Sequence, residues 1–146
     1  MSDKSGPDDI EIVAWARLLK ASAKMLDAVE RDLKQAGLPP LAWYDALLEL
    51  HRARPDGLRP GDLQREMLLP QYNVSRLVDR LEAAGYVVRR PHLRDGRGQM
   101  LQITVQGTAL IRRMWKVYRN TVAQNFAGKL HAGGAGRLAR LLQPLL

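Results

Sequence analysis

Residues 68–104, LLPQYNVSRLVDRLEAAGYVVRRPHLRDGRGQMLQIT, contain the pattern that decides the fold of this chain. Four apolar residues in this stretch follow the spacing i, i+3, i+4, i+7: Val74, Leu77, Val78 and Leu81. This spacing predicts a helix with one buried face. We place Pro70 in the first turn of the helix, where proline is well tolerated, and Gly85 just past its end as a left-handed cap.

Two short strands are predicted after this helix, joined by a loop rich in arginine. Residues 86–90, YVVRR, are β-prone and end at Pro91, while residues 101–105, LQITV, alternate between apolar and polar. Asp95-Gly96 in the loop is a turn signal. A helix followed by a basic hairpin is the layout of a winged helix. The helix can enter a major groove of DNA while the hairpin, or wing, reaches the adjacent minor groove.

The polar face of the predicted helix carries candidate DNA contacts. Glutamine and asparagine can pair with adenine, and arginine with guanine. The candidates are Gln71, Tyr72, Asn73, Ser75, Arg76 and Arg80. We expect Gln71, Asn73 and Arg76 to contact base edges. The alternative interpretation is a solvated face, which amphipathic helices have by default.

The wing supplies further candidates. Arg97 is expected to enter the minor groove, where negative potential attracts arginine. Asp95 is expected to hold a neighbouring guanidinium through a bidentate pair and so direct it. Arg59 and Arg94 are expected to neutralise phosphates. A charged surface hairpin without a DNA role is the alternative.

The stretch SRLVDRLEAAGYVVRR, followed by DGRG and LQITVQGTAL, resembles the MarR family of winged-helix transcription regulators. Upstream, LLELHRARPDGLRPGDL extends the resemblance, which covers roughly residues 40–112. It places Ser75 and Arg76 on the recognition helix and Asp95 and Arg97 in the wing. It also implies a homodimer with interlocking outer helices, two lobes on successive major grooves, and often a small-molecule pocket between the lobes and the dimer region.

The chain departs from the family pattern at residues 69–73, LPQYN, where the family has small hydroxyl residues. The base preference of the family is therefore not transferred to this chain. The rest of the resemblance predicts a mainly α fold with a small β-hairpin wing.

We predict a single domain over residues 1–146. Residues 37–104 form the winged helix-turn-helix lobe, and residues 1–36 and 105–146 form the helical dimerisation region. Residues 1–7 are expected to be a disordered tail.

Six helices are predicted in all, two of them long. Asp8 or Asp9 caps the first helix, and Thr104 caps the fifth, which spans roughly residues 105–129 or about 37 Å. Leu58 is expected to form a very short strand that pairs with the wing. The inner side of the first helix is formed by Ile12, Trp15, Leu19, Leu26, Val29 and Leu33. The last helix carries leucines at helical spacing, which predict a second dimer surface: Leu138, Leu141, Leu142 and Leu145.

The charge distribution favours a polyanionic partner, since the chain has a net charge of +8 and a pI near 10.3. Residues 1–51 contain 6 basic and 9 acidic residues, residues 52–97 contain 10 and 6, and residues 98–146 contain 7 and none. The basic C-terminal third suggests charge complementarity with the acidic first helix at the dimer interface. Alternatively, it extends the surface that follows DNA phosphates.

Several functional classes lack any signal. The chain has no cysteine, no apolar run near the ~20 residues of a membrane span, and an acidic N-terminus unlike a signal peptide, which together suit a cytoplasmic protein. No HExxH, GxxxxGK[ST] or GxSxG motif is present. We interpret the carboxylate pairs Asp45/Glu49 and Asp27/Glu30 as solvated faces. We therefore predict neither an enzyme nor a metal or cofactor site.

A pocket for a small aromatic or phenolic acid is expected beside the dimer region. Its candidate lining residues are Trp15, Arg17, Trp43, Tyr44, His51, Met114 and Tyr118. Arg17 and His51 are candidates to bind a carboxylate. Ordinary core or interface packing of these aromatic side chains is the alternative.

The resulting functional hypothesis is a double-stranded DNA-binding transcription regulator, a homodimeric repressor released by a small ligand. Its operator is expected to be a pseudo-palindrome with half-sites ~10 bp apart. One alternative is an RNA-binding winged helix, although the stacking aromatics typical of RNA recognition by a sheet face are missing. The other is a winged helix that binds a protein partner.

Overall fold

The computed structural model describes residues 6–69, 72–91, 94 and 98–146. Within that part of the chain, the elements are α1 (Asp9–Gln35), α2 (Leu41–Arg52), α3 (Pro60–Glu66), α4 (Val74–Ala83), β1 (Val87–Pro91), β2 (Gln99–Ile103), α5 (Val105–Asn125) and α6 (Gly134–Leu142). Short 3-10 turns follow α5 at Ala127–Lys129 and α6 at Gln143–Leu145. The prediction of a mainly helical chain with a hairpin wing is confirmed.

Side-chain caps fix where the two long helices begin. The Asp8 carboxylate accepts the Glu11 N–H at 2.8 Å, and the Glu11 carboxylate accepts the Asp8 N–H at 2.7 Å, which forms a capping box for α1. The Thr104 hydroxyl oxygen accepts the Gly107 N–H at 3.1 Å at the start of α5. Both helix starts predicted from the sequence are confirmed.

One apolar core joins α2, α3, α4, the hairpin and α5. Its most deeply buried residues include Leu41, Leu47, Leu50, Leu63, Leu81, Leu101, Leu110 and Met114. The predicted inner face of α4 is buried in full, from Val74 to Leu81. Only the C-terminal half of α1 reaches this core, through Val29 and Leu33.

The wing is an antiparallel pair in which Val87 faces Ile103 and Pro91 faces Gln99. Leu58 forms an isolated bridge to Leu101, with N···O distances of 3.0 and 2.7 Å. The predicted short strand at Leu58 is therefore confirmed. It ties the turn after α2 to the base of the wing, so the wing and α2 are parts of the same lobe.

The start of α4 differs from the prediction. The helix begins at Val74, and the residue before it, Asn73, has extended backbone angles and is the N-cap. The Asn73 side chain accepts the Arg76 N–H at 3.1 Å, so it satisfies a backbone donor that no carbonyl within the helix can reach. Placing Tyr72 and Asn73 inside the helix was therefore wrong. Pro70 and Gln71 lie outside the described residues.

Helix α5 is shorter than predicted. It ends at Asn125 and not near residue 129, so its 21 residues span about 31 Å. A 3-10 turn over Ala127–Lys129 follows and contains Gly128, a residue type that weakens helices. The Thr121 hydroxyl donates to the Asp32 carboxylate at 2.6 Å, which fastens the C-terminal part of α5 to α1.

Apolar side chains remain uncovered at both ends of the chain. On α1, Ile12, Trp15 and Leu19 are 51%, 58% and 49% exposed. After the break at the end of α5, Leu141 and Leu145 are 73% and 71% exposed. The apolar stripe predicted for α1 is thus covered by its own chain only over the C-terminal half. None of the described helices is long and apolar enough to cross a membrane.

Candidate nucleic-acid interface and cavity

Helix α4 presents a polar face opposite its buried apolar face. Ser75, Arg76 and Arg80, three of the predicted DNA contacts, are exposed on this helix. The apolar residues between them hold the helix on the core. The arrangement leaves two guanidinium groups and a hydroxyl group on a rigid element, which can enter a groove of DNA without rearrangement of the core.

The segment before α4 is arranged differently from the prediction. Tyr72 is half-buried against the core, and this burial raises the pKa of its phenol group. Asn73 is exposed, but its side-chain oxygen is engaged in capping the helix. Gln71, the remaining candidate in this segment, lies outside the described residues.

An ion-pair cluster clamps the base of the wing to α4. Arg89 on β1 donates to Asp79 at 2.7 Å and to Glu82 at 2.6 Å, both on α4. The hydrogen bond to Asp79 is the main reason that the pKa of Arg89 is raised. Because its guanidinium group is held by these carboxylates, Arg89 orients the wing relative to the helix.

The remaining predicted DNA contacts lie on α3 and in the wing. Arg59 is exposed at the N-cap position of α3, and Arg94 is exposed in the wing. Asp95 and Arg97 lie outside the described residues, so their predicted pairing and minor-groove contact stay predictions. Arg76, Arg80 and Arg59 belong to the stretch in which the sequence has an excess of basic residues.

A cavity of about 750 Å³ lies between α2 and α5, beside the end of α3. Three aromatic rings form part of its wall. Tyr44 and Tyr118 are stacked with ring centroids 5.3 Å apart, and Trp115 lies 6.0 Å from Tyr118. Burial is the main cause of the raised pKa of both tyrosines, so both phenols are neutral at pH 7. These walls suit a flat aromatic molecule.

Charged groups of both signs line the same cavity. Glu49 and Arg52 form an ion pair with a 2.7 Å N···O distance. Arg112 is exposed and lies at the mouth of the cavity. The pKa of His51 is lowered, chiefly by burial and then by Arg54 and Arg112, so its imidazole is neutral at pH 7.

Asp45 is the buried acid of this cavity wall. Only 6% of the residue is exposed, and its carboxylate accepts the Leu68 N–H at 2.7 Å. Burial raises the pKa of this carboxyl, against the effect of that hydrogen bond. The sequence interpretation of Asp45 as part of a solvated face was therefore wrong, because its partner lies 23 positions away in the chain.

The structure brings together three of the seven predicted ligand residues: Tyr44, His51 and Tyr118. Met114 is fully buried in the core, and Trp43 packs edge-on against Tyr86 at 6.0 Å. Trp15 and Arg17 lie on the exposed half of α1. Asp45, Arg112 and Trp115 also line the cavity but were missed. For Arg112 and Trp115 the available signal was their spacing of three residues along the Tyr118 face of α5, whereas no local pattern identified Asp45. Among the described residues no cluster of acidic or histidine side chains could hold a metal ion.

Comparison with known proteins agrees with this architecture. Residues 36–98 match the model of the MarR family. AbsC, a MarR family transcriptional regulator from Streptomyces coelicolor, is 26% identical, with a TM-score of 0.81 over 97% of this chain and 95% of AbsC. Sco3205, a MarR family transcriptional regulator from the same organism solved in complex with DNA, has the same fold. Its TM-score is 0.85 over 99% of this chain and 91% of Sco3205, at 23% identity.

A curated relative shows the same kind of similarity. The HTH-type transcriptional regulator PrsX of Escherichia coli is 27% identical over 96 residues, which are 66% of this chain and 57% of PrsX. The chain thus spans less than two thirds of that relative. These relatives are named as transcriptional regulators and not as enzymes.

Proposed function

This chain belongs to the MarR family, and from that premise we propose that it is a transcription regulator that binds a specific double-stranded DNA operator in the cytoplasm. The observation that carries the proposal is the exposed Ser75, Arg76 and Arg80 face of α4, held rigidly on the core beside a wing clamped by Arg89. Such a face can read base edges in a major groove while the wing follows the adjacent minor groove.

Each predicted contact has a proposed role in this complex. Gln71 and Arg76 contact base edges, as does Asn73 through its side-chain NH2 group while its oxygen caps α4, and Tyr72 and Ser75 contact base methyl groups or phosphates. Arg97, supported by Asp95, enters the minor groove, while Arg59, Arg80 and Arg94 bind phosphates. Of these, the exposure of Arg76 in the first turn of α4 supports its role most directly, since the N-terminal residues of a recognition helix reach the bases.

The proposed assembly is a homodimer. The uncovered apolar side chains on α1 and after α5 support it, because large exposed apolar patches mark association surfaces. A two-fold dimer places two α4 helices about one helical turn of DNA apart. The operator is then a pseudo-palindrome with half-sites ~10 bp centre to centre.

Repression released by a small aromatic or phenolic acid is the proposed regulation. The cavity volume of about 750 Å³ supports it, as do the aromatic walls formed by Tyr44, Trp115 and Tyr118. Ligand sites of this kind are mostly apolar, with a few polar groups that fix orientation. Arg112 at the mouth is the candidate partner for an acid group, in place of the predicted Arg17.

Selection of bound sequences from random duplex DNA tests the proposed function. An enriched inverted repeat with ~10 bp spacing would support dimeric, specific recognition. Salt-sensitive binding without enrichment, or preference for duplex RNA in competition, would favour an RNA-binding role. A salt slope near zero, or no binding, would favour the protein-interaction alternative.

Replacement of Arg76 by alanine is expected to weaken operator binding by roughly 1–3 kcal/mol and to relax the sequence preference at one base pair. The reason is the loss of a bidentate contact from the first turn of α4. Binding to operator variants, measured by fluorescence anisotropy, checks this. The Arg31→Ala variant, which alters an exposed arginine on α1, is the control and should bind normally. An equal loss on all sequences would instead make Arg76 a phosphate contact.

An aromatic acid that binds the cavity is expected to quench tryptophan fluorescence, and the Trp115→Phe variant should lose most of that quenching. Trp115 is the tryptophan that lines the cavity. The Trp43→Phe variant, which removes a ring packed on Tyr86, should keep it. A broad set of aromatic acids that leaves the fluorescence unchanged would contradict the proposed effector class.

A further inference from the structure

Asp45 connects two parts of the molecule that have different proposed roles. It lies on α2 in the wall of the cavity, and its carboxylate accepts the backbone N–H of Leu68 at 2.7 Å. A single side chain thus faces the cavity and binds a backbone amide of the segment between α3 and α4.

The described residues on either side of this amide are buried to different extents. Met67 is buried, but the Leu68 side chain is 60% exposed and anchors little. From Leu69 the chain needs only four residues to reach Asn73, the cap of α4. The position of the Leu68 amide therefore influences where the first turn of α4, with Ser75 and Arg76, begins.

A buried carboxylate is an energetically unfavourable group for holding this segment. Placing a charged group away from water is unfavourable, and burial is the first cause of the raised pKa of Asp45. Its charged and titratable neighbours are Tyr44, Glu49 and Arg52 on α2, Tyr118 on α5 and Tyr72 before α4. An apolar residue would fill this position without that cost, but it could not bind the Leu68 amide.

We propose that Asp45 is the positioning residue of the DNA-reading helix and the point at which the cavity communicates with it. Its carboxylate holds the Leu68 amide and so sets the entry into α4. A ligand donor group in the cavity that takes one of its oxygens releases an amide and shifts the first turn of α4. The proposal rests on the proposed DNA-binding function.

The Asp45→Asn variant tests this positioning role. Asparagine keeps an acceptor oxygen, but it lacks the negative charge that strengthens the hydrogen bond from the Leu68 amide, so it holds the segment less tightly. We expect operator affinity to fall about tenfold or more, while affinity for a scrambled duplex of equal length stays unchanged. Phosphate contacts would survive in this variant, but the reading of base edges would not.

The Glu30→Gln variant is the matched control. Glu30 on α1 also accepts a backbone amide from a distant residue, Leu41, at 2.8 Å, but at the start of α2 and not in the segment between α3 and α4. Its operator affinity and specificity are expected to equal those of the unaltered protein. Equal losses of both duplexes in Asp45→Asn, or equal effects in the two variants, would overturn the proposal by showing a general structural role.

A pH titration of the unaltered protein followed by NMR keeps the proposal testable if Asp45→Asn does not fold. The amide resonances of Leu68, Leu69 and Arg76 should move together, with one midpoint above the ordinary aspartate value of about 3.9. An Arg76 amide that does not follow the other two would overturn the proposal. If selection yields no operator, the proposed function fails, but this titration still tests whether Asp45 positions α4.

Discussion

Replacement of Leu141 and Leu145 by serine is expected to convert the protein into a monomer and to abolish high-affinity operator binding. These leucines are 73% and 71% exposed in the single chain. Burying a leucine contributes about 1.5–3 kcal/mol, and in a two-fold dimer each position counts twice. Since about a quarter of each side chain is already covered, the double variant should lose at least about 4 kcal/mol of association, which is about a thousandfold in the dimerisation constant.

Operator binding should fall with the dimer, since a monomer holds only one half-site. The second lobe then no longer binds at the high effective concentration that linkage provides, so the loss should be at least about a hundredfold. Analytical ultracentrifugation reports the assembly, and anisotropy with operator DNA reports the binding. Half-site binding by single lobes should persist at high protein concentration.

The Val105→Ser variant is the matched control for this experiment. Val105 is 85% exposed at the first residue of α5, beside the wing and away from the uncovered surfaces at the two ends of the chain. Loss of this side chain should leave the protein dimeric. A Leu141/Leu145 double variant that still sediments as a dimer at low concentration would show that α6 does not form the interface.

Helix α1 illustrates what periodicity predicts and what it leaves open. The apolar stripe from Ile12 to Leu33 is visible in the sequence, and its C-terminal members Val29 and Leu33 are buried as expected. Trp15 belongs to the same stripe but is 58% exposed. Spacing identifies which face of a helix is apolar, but it does not say whether the same chain or another chain covers that face.

The DNA lobe was predicted well where local signals agree. The buried face of α4, the Thr104 cap and the Leu58 bridge all depend on residue types and spacings that are visible in a short window. The start of α4 was placed too early because proline and asparagine are both suited to helix starts. In the structure the N-cap is Asn73, whose side-chain oxygen accepts the Arg76 N–H.

The cavity was predicted less well because its polar members depend on contacts distant in sequence. Asp45 and Glu49 form an i, i+4 pair, which sequence reasoning assigns to a solvated face. Glu49 does pair with Arg52 near the surface, but Asp45 turns to the Leu68 amide on another element. No local pattern distinguishes these two carboxylates, so only the packing of α2 against the segment after α3 separates their roles.

The Gly57→Ala substitution is expected to destabilise the protein by at least about 3 kcal/mol and to displace the wing. Gly57 has a φ of +83°, which an alanine adopts only with strain. A Cβ atom there would also overlap the carbonyl oxygen of Leu101 and lie 2.9 Å from the Gln102 side chain. The sequence marks Gly57 as a turn residue, but this close approach to β2 is visible only in the fold.

The Gly37→Ala variant separates the two effects, since Gly37 has a φ of +70° but no atom within 4 Å of the position that an alanine methyl group would occupy. It should lose only about 1 kcal/mol from backbone strain. Thermal unfolding measures both variants, and Gly57→Ala should unfold at least roughly 6 °C lower than the unaltered protein.

Because the overlap lies where Leu58 pairs with Leu101, Gly57→Ala should also weaken operator binding at temperatures where it remains folded. Equal stabilities of the two variants would mean that β2 moves aside freely, and the base of the wing would then not be fixed by its contact with the turn after α2.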